Sequence, residues 1–191
     1  MRTFVAIELN DECRRRLAGA IEKLRGHAGG VKWVDPAIIH LTLKFIGELS
    51  QQDVPAAISA ISSVAAASRP FRMRIAGISG FPQRGKPRVI HSLVEEPTGT
   101  LAALAEAIDG ALSDALGIER ESRSFSAHIT IGRAKGTRDC PRVEELAAVV
   151  PDADFGEVAV DSVVLMKSEL RPTGPIYTPI ERIRLGAEAD A

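Results

Sequence analysis

Ile39-His40-Leu41-Thr42-Leu43-Lys44-Phe45 returns about half a chain length later as Ala127-His128-Ile129-Thr130-Ile131-Gly132-Arg133. Both stretches read His-apolar-Thr-apolar in a strand-like alternation. Side chains of a strand point alternately to its two faces. Ile39, Leu41, Leu43 and Phe45 are thereby assigned to a core face, and His40 and Thr42 to the opposite one. In the second copy Phe125, Ala127, Ile129 and Ile131 are set against Ser126, His128 and Thr130 in the same way. Each copy offers an imidazole and a hydroxyl about 7 Å apart on the polar side of a strand. With four His and eight Thr in 191 residues, two His-x-Thr matches arise by chance about once in a hundred such chains. His27 and His91 lack the pattern.

Around the two copies the chain reads as a single α+β unit. Thr3 to Leu9 is a buried strand, and Asn10 caps a helix with its apolar stripe at Cys13, Leu17, Ala20, Ile21 and Leu24. A second helix follows Ser50, with Asp53 as its capping-box partner. Phe71 to Ile78 and Pro87 to Val94 read as neighbouring strands around the basic loop of Arg84, Lys86 and Arg88. Leu101, Leu104, Ile108, Leu112 and Leu116 form a third helix stopped by Gly117. A short helix spans Val143 to Val149. Two last strands, Val158 to Leu165 and Tyr177 to Leu185, flank a Pro/Gly-rich turn at Arg171-Pro172-Thr173-Gly174-Pro175. The spacing of the motifs predicts two related halves, each giving one His-x-Thr strand to a shared cleft. No flexible linker separates them, so residues 1–191 are read as one two-lobed domain.

Composition narrows the function. Hydrophobic content of 45% and charged content of 26% suit a globular protein with a sizeable core. A net charge of -1 gives no global attraction to nucleic acid, so binding of a polyanion needs locally concentrated positive charge. Cys13 and Cys140 make neither a zinc spacing nor a disulfide framework. No run approaches the roughly 18 apolar residues of a membrane span. The start, Met1 to Leu9, turns acidic too soon for a signal peptide. A cytoplasmic monomer without a membrane partner is expected.

Two imidazoles facing one cleft suit acid-base catalysis, because an unperturbed imidazole titrates near pH 6.5. One ring can accept a proton while the other donates one. The Thr hydroxyls can donate hydrogen bonds to an anion held between the rings. A phosphodiester fits, since in-line displacement needs a base on the attacking side, an acid on the leaving side and donors for the equatorial oxygens. Arg133 adds charge at the rim. The layout requires no metal and no cofactor, and Asp35, Glu48, Cys13 and Cys140 supply no ligand spacing to either His.

The segments His40-Leu41-Thr42-Leu43-Lys44-Phe45-Ile46-Gly47 and His128-Ile129-Thr130-Ile131-Gly132-Arg133 resemble the paired motifs of the two-histidine phosphodiesterases. Within them the chain is similar to the RNA 2',3'-cyclic phosphodiesterases, once called 2'-5' RNA ligases. Phe4-Val5-Ala6-Ile7, Phe81-Pro82 with Pro87-Arg88-Val89-Ile90, and Gly174-Pro175-Ile176-Tyr177 extend the likeness over nearly the whole chain. Two departures are Ala127, where relatives often have Pro, and His91, near which they often have Trp.

The resemblance implies a duplicated α+β unit, with antiparallel sheets lining a central cleft and helices outside. It implies hydrolysis of RNA 2',3'-cyclic phosphate ends, or nucleoside 2',3'-cyclic phosphates, to 2'-phosphates. His40 would then be the proton donor and His128 the acceptor. Thr42, Thr130 and Arg133 would hold the phosphate, and Phe45 would line the cleft. The alternatives are a 2'-5' linkage or a cyclic ADP-ribose phosphate as substrate, or an RNA-end or nucleotide-binding module without catalysis.

Overall fold

The computed structural model describes residues 1–136, 140–172 and 174–186. In chain order the elements are β1 (Arg2–Glu8), α1 (Asp11–His27), β2 (Val31–Trp33), a one-turn 3-10 helix (Pro36–Ile38) and β3 (His40–Glu48). They continue with α2 (Val54–Ala67), β4 (Phe71–Phe81), β5 (Val89–Glu95), α3 (Thr100–Leu116) and β6 (His128–Ala134). The chain then forms α4 (Val143–Val149), β7 (Asp154–Val160), β8 (Ser162–Arg171) and β9 (Gly174–Arg184). Two antiparallel sheets result. One has the order β3-β1-β8-β9, the other β2-β6-β5-β4-β7. Helices α2 and α3 pack together against the first sheet, while α1 and α4 pack against the second. The α+β architecture read from the sequence is present.

Local chemistry explains most of the elements. Asn10 caps α1 by accepting the Cys13 N–H at 2.9 Å, and the predicted stripe from Cys13 to Leu24 is buried. Gly117 ends α3 at φ 66°, a left-handed conformation that glycine adopts without a Cβ penalty. Ser50 and Asp53 do interact, with the Ser50 hydroxyl donating to the Asp53 carboxylate at 2.7 Å. That pair closes a turn, however, and α2 begins only at Val54. Nearly all the buried apolar side chains form one core, with a small second cluster of Phe4, Ala6, Val164 and Met166 on the first sheet.

One expectation is corrected, and two features of the sheets were not read from the sequence. Val158 to Leu165 is not one strand: the chain leaves β7 at Val160 and enters β8 at Ser162, moving from one sheet to the other. Asp161 occupies the crossing, where its carbonyl accepts the Leu185 N–H at 2.8 Å. Val31 to Trp33 is a strand of its own, paired with β6. Finally, each sheet draws strands from both ends of the chain, so a sheet is not a sequence half. The His40 strand nonetheless lies in one sheet and the His128 strand in the other. Thr173, inside the predicted turn, lies outside the described residues. Among the described residues no helix is long and apolar enough to cross a membrane.

Candidate active site

The two motif strands do not alternate as simple strands would. Along β1 and β3, Val5 pairs with Lys44 and Ala6 with Thr42, leaving Leu43 unmatched. Along β5 and β6, Ile90 pairs with Gly132 and His91 with Thr130, leaving Ile131 unmatched. Both copies therefore carry a bulge three residues after the His. An extra residue shifts the alternation by one step. After the bulge Lys44 turns inward and is only 3% exposed, while Phe45 turns out and is 58% exposed. The expectation that Phe45 shares the core face with Leu43 fails for this reason. In the second copy Gly132 turns inward and Arg133 outward. The repeated unit is thus His, Thr two residues on, a bulged apolar residue, and an outward side chain five residues on.

Strands β3 and β6 run close to one another across the two sheets. A cavity of about 730 Å³ lies along them, and His40, Thr42, Phe45, His128, Thr130 and Arg133 all line it. The basic loop residues Arg84, Lys86 and Arg88 do not. Among the described residues no three His, Cys, Asp or Glu side chains come together in a way that would hold a metal ion.

Each motif imidazole is tied down identically. His40 Nδ1 lies 2.8 Å from the Ile38 carbonyl, and His128 Nδ1 lies 2.8 Å from the Ser126 carbonyl. A carbonyl can only accept, so Nδ1 carries the proton in both rings. In the neutral ring the lone pair is then on Nε2. The 3-10 turn that presents the Ile38 carbonyl is itself held. Asp35 caps the 3-10 turn by accepting the Ala37 N–H at 2.9 Å, and Arg14 of α1 donates to the carbonyls of Leu9 and Ala37.

Aromatic rings buttress both imidazoles. Phe4 stacks on His40 at 4.8 Å, and Tyr177 meets His40 edge-on at 5.1 Å. Across the cleft Phe81 meets His128 edge-on at 5.0 Å and stacks on His91 at 4.4 Å. His91 lies 5.3 Å from His128, with their ring planes 64° apart. Burial pushes the His40 imidazole below its ordinary value, the Ile38 hydrogen bond opposing this. Burial also lowers His91, which is 2% exposed and whose Nε2 has no partner among the described residues.

Among the described residues three cations, Arg2, Lys32 and Arg133, line the cavity with a single carboxylate, Asp35. The chain as a whole is slightly acidic, so positive charge is concentrated here. Trp33 also lines the cavity, lying over Gly132. Sequence reading gave no site role to Phe4, Trp33, Tyr177 or the supporting Arg14. A usable signal existed for Trp33: it is the one Trp of the chain, and it stands seven residues before the first motif His.

The LigT-like phosphoesterase profile matches the chain twice, over residues 7–91 and 92–177. A relative from Archaeoglobus fulgidus, named RNA 2',3'-cyclic phosphodiesterase, is 36% identical over 93% of this chain and 96% of its own length. One of the same name from Thermotoga maritima is 37% identical over 93% and 91%. A crystal structure from Thermus thermophilus superposes with a TM-score of 0.81 at 34% identity, covering 99% of this chain and all of that one. The E. coli LigT structure with 3'-AMP shares the fold at a TM-score of 0.76 and 24% identity, covering 97% of this chain and 98% of that one. With two profile matches that together span most of its length, the chain belongs to the LigT-like phosphoesterase family.

Proposed function

We propose that this phosphoesterase hydrolyses RNA 2',3'-cyclic phosphate ends to 2'-phosphates by acid-base catalysis between His40 and His128. The observation that carries the reading is the matched presentation of the two rings. Each has its Nδ1 committed to the carbonyl two residues before it, and each lines the same cavity from a different sheet. His128 Nε2 takes a proton from water as the water oxygen attacks phosphorus. His40 Nε2 gives a proton to the 3' oxygen as its bond to phosphorus breaks. One water is consumed and the phosphate stays on the 2' oxygen. Positioned proton transfer is worth about 10² to 10⁴ in rate for each group.

Thr42 and Thr130 donate to the non-bridging oxygens, where charge grows in the transition state. Arg133 adds a positive charge from β6, and Phe45 offers a face for a base. These roles need no metal. The curated relatives named RNA 2',3'-cyclic phosphodiesterase support the choice of substrate. The test is product analysis on an oligonucleotide ending in a 2',3'-cyclic phosphate, in the presence of EDTA. The expected product is the 2'-phosphate at an undiminished rate. A 3'-phosphate, or loss of activity with EDTA, contradicts the reading.

A further inference from the structure

Tyr177 has a ring whose position is accounted for and a hydroxyl whose position is not. It stands on β9 opposite Ser168 of β8, on the side of the first sheet that lines the cavity. The ring meets Phe4 edge-on at 5.0 Å and packs on the small cluster of Phe4, Ala6, Val164 and Met166. A phenylalanine would fill that place equally well. Among the described residues the phenol oxygen makes no hydrogen bond. The residue lines the cavity, and its hydroxyl is not among the sealed, unpartnered polar atoms, so it is open to donate to whatever the cavity holds.

The surroundings of that oxygen indicate what that is. Burial raises the Tyr177 pKa, and the charges of Arg133 and Arg2 partly offset this. The phenol therefore keeps its proton near neutral pH and remains a donor. Arg133 belongs to β6, in the opposite sheet. An O–H from one wall and a guanidinium from the other thus act on one region of the cavity, which Thr42 and Thr130 also line. Tyr177 also touches the His40 ring, the proposed donor to the leaving oxygen.

We propose that Tyr177 is a further catalytic residue, donating its O–H to a non-bridging phosphate oxygen that Arg133 also contacts. The inference rests on the phosphodiester reading of the cavity. No bond to Tyr177 is made or broken: its proton stays in place, and His40 supplies the one that the leaving oxygen takes. Its donated hydrogen bond stabilises a non-bridging oxygen, on which charge grows as water attacks phosphorus.

The experiment compares wild type with Tyr177→Phe, which keeps the ring and its packing. Turnover is measured on a nucleoside 2',3'-cyclic monophosphate, and binding on inorganic phosphate by calorimetry. Losing one donor of this kind costs about 10²-fold in kcat/KM. The expected result is that loss, weaker phosphate binding, an unchanged melting temperature and unmoved pH limbs. Equal kcat/KM in the two proteins overturns the proposal, and so does equal phosphate binding. A moved pH limb also overturns it, since the residue would then act only through His40. If wild type fails to turn over the cyclic phosphate while Tyr177→Phe still weakens phosphate binding, the assigned reaction fails and the phosphate contact stands.

Discussion

Leu43 and Ile131 are ordinary apolar residues whose unmatched places in their strands decide which side chains reach the cavity. The alternation before the bulge was legible in the sequence: His and Thr two apart share a face while Leu41 and Ile129 anchor the strand. The bulge was not legible, because an apolar residue suits that position with or without it. Lys44 shows the consequence, sitting buried where alternation would expose it. The proposed division of labour between the imidazoles has its test at this scale. His128→Ala should leave a residual activity that falls as pH rises, since the remaining His40 must be protonated. Burial lowers His40, so that fall should come below the ordinary imidazole value. His40→Ala should leave one without that fall. Each should cost about 10² to 10⁴ in kcat. The fall in His40→Ala instead of His128→Ala would reverse the two roles.

Each strand is positioned by the element behind it. Lys44 reaches from β3 to α3, with Nζ 2.6 Å from Asp109 and 2.8 Å from the Glu119 carbonyl. Removing one partner of a buried pair strands the other, at a cost of about 3 kcal/mol or more. Lys44→Met should accordingly lower the unfolding free energy by that order, read as a lower midpoint of urea unfolding. An unchanged midpoint would mean that Arg120, 3.8 Å from Asp109, already suffices as its partner. On β6 the inward residue after the bulge is Gly132. A Cβ there would come within 2.9 Å of Val31 and 3.0 Å of Trp33. Gly132→Ala should push β2 away, which a blue or red shift of the single Trp fluorescence would report. The helices and their stripes were legible because periodicity survives tertiary context. The passage of the chain between sheets at Asp161 was not, since a strand's alternation carries no label for the sheet it joins.

The molecule as a whole concentrates positive charge in a cavity while its net charge is -1. Among the described residues Arg2, Lys32 and Arg133 have no carboxylate partner that would neutralise them. The KM for a cyclic-phosphate oligonucleotide should therefore rise steeply with salt, about 0.7 log units per log unit for each phosphate contact. Stability should also respond to pH. Burial lowers both His40 and His91, so below about pH 6.5 the unfolded chain binds more protons than the folded one. Stability then falls on acidification, by up to about 1.4 kcal/mol per pH unit for each of the two groups. Melting temperature against pH, compared with His91→Phe, should show a shallower fall in the variant. The duplicated motif was legible as two parts of one site, but the interleaving of strands from both ends of the chain was not, since pairing is set by contacts distant in sequence. The central claim is that His40 and His128 act together on one phosphorus. Single-turnover hydrolysis of a 2',3'-cyclic-phosphate oligonucleotide by His40→Ala/His128→Ala tests it most directly. Loss of 2'-phosphate formation to the uncatalysed rate, with the fold retained, is the predicted result, and activity near wild type would contradict it.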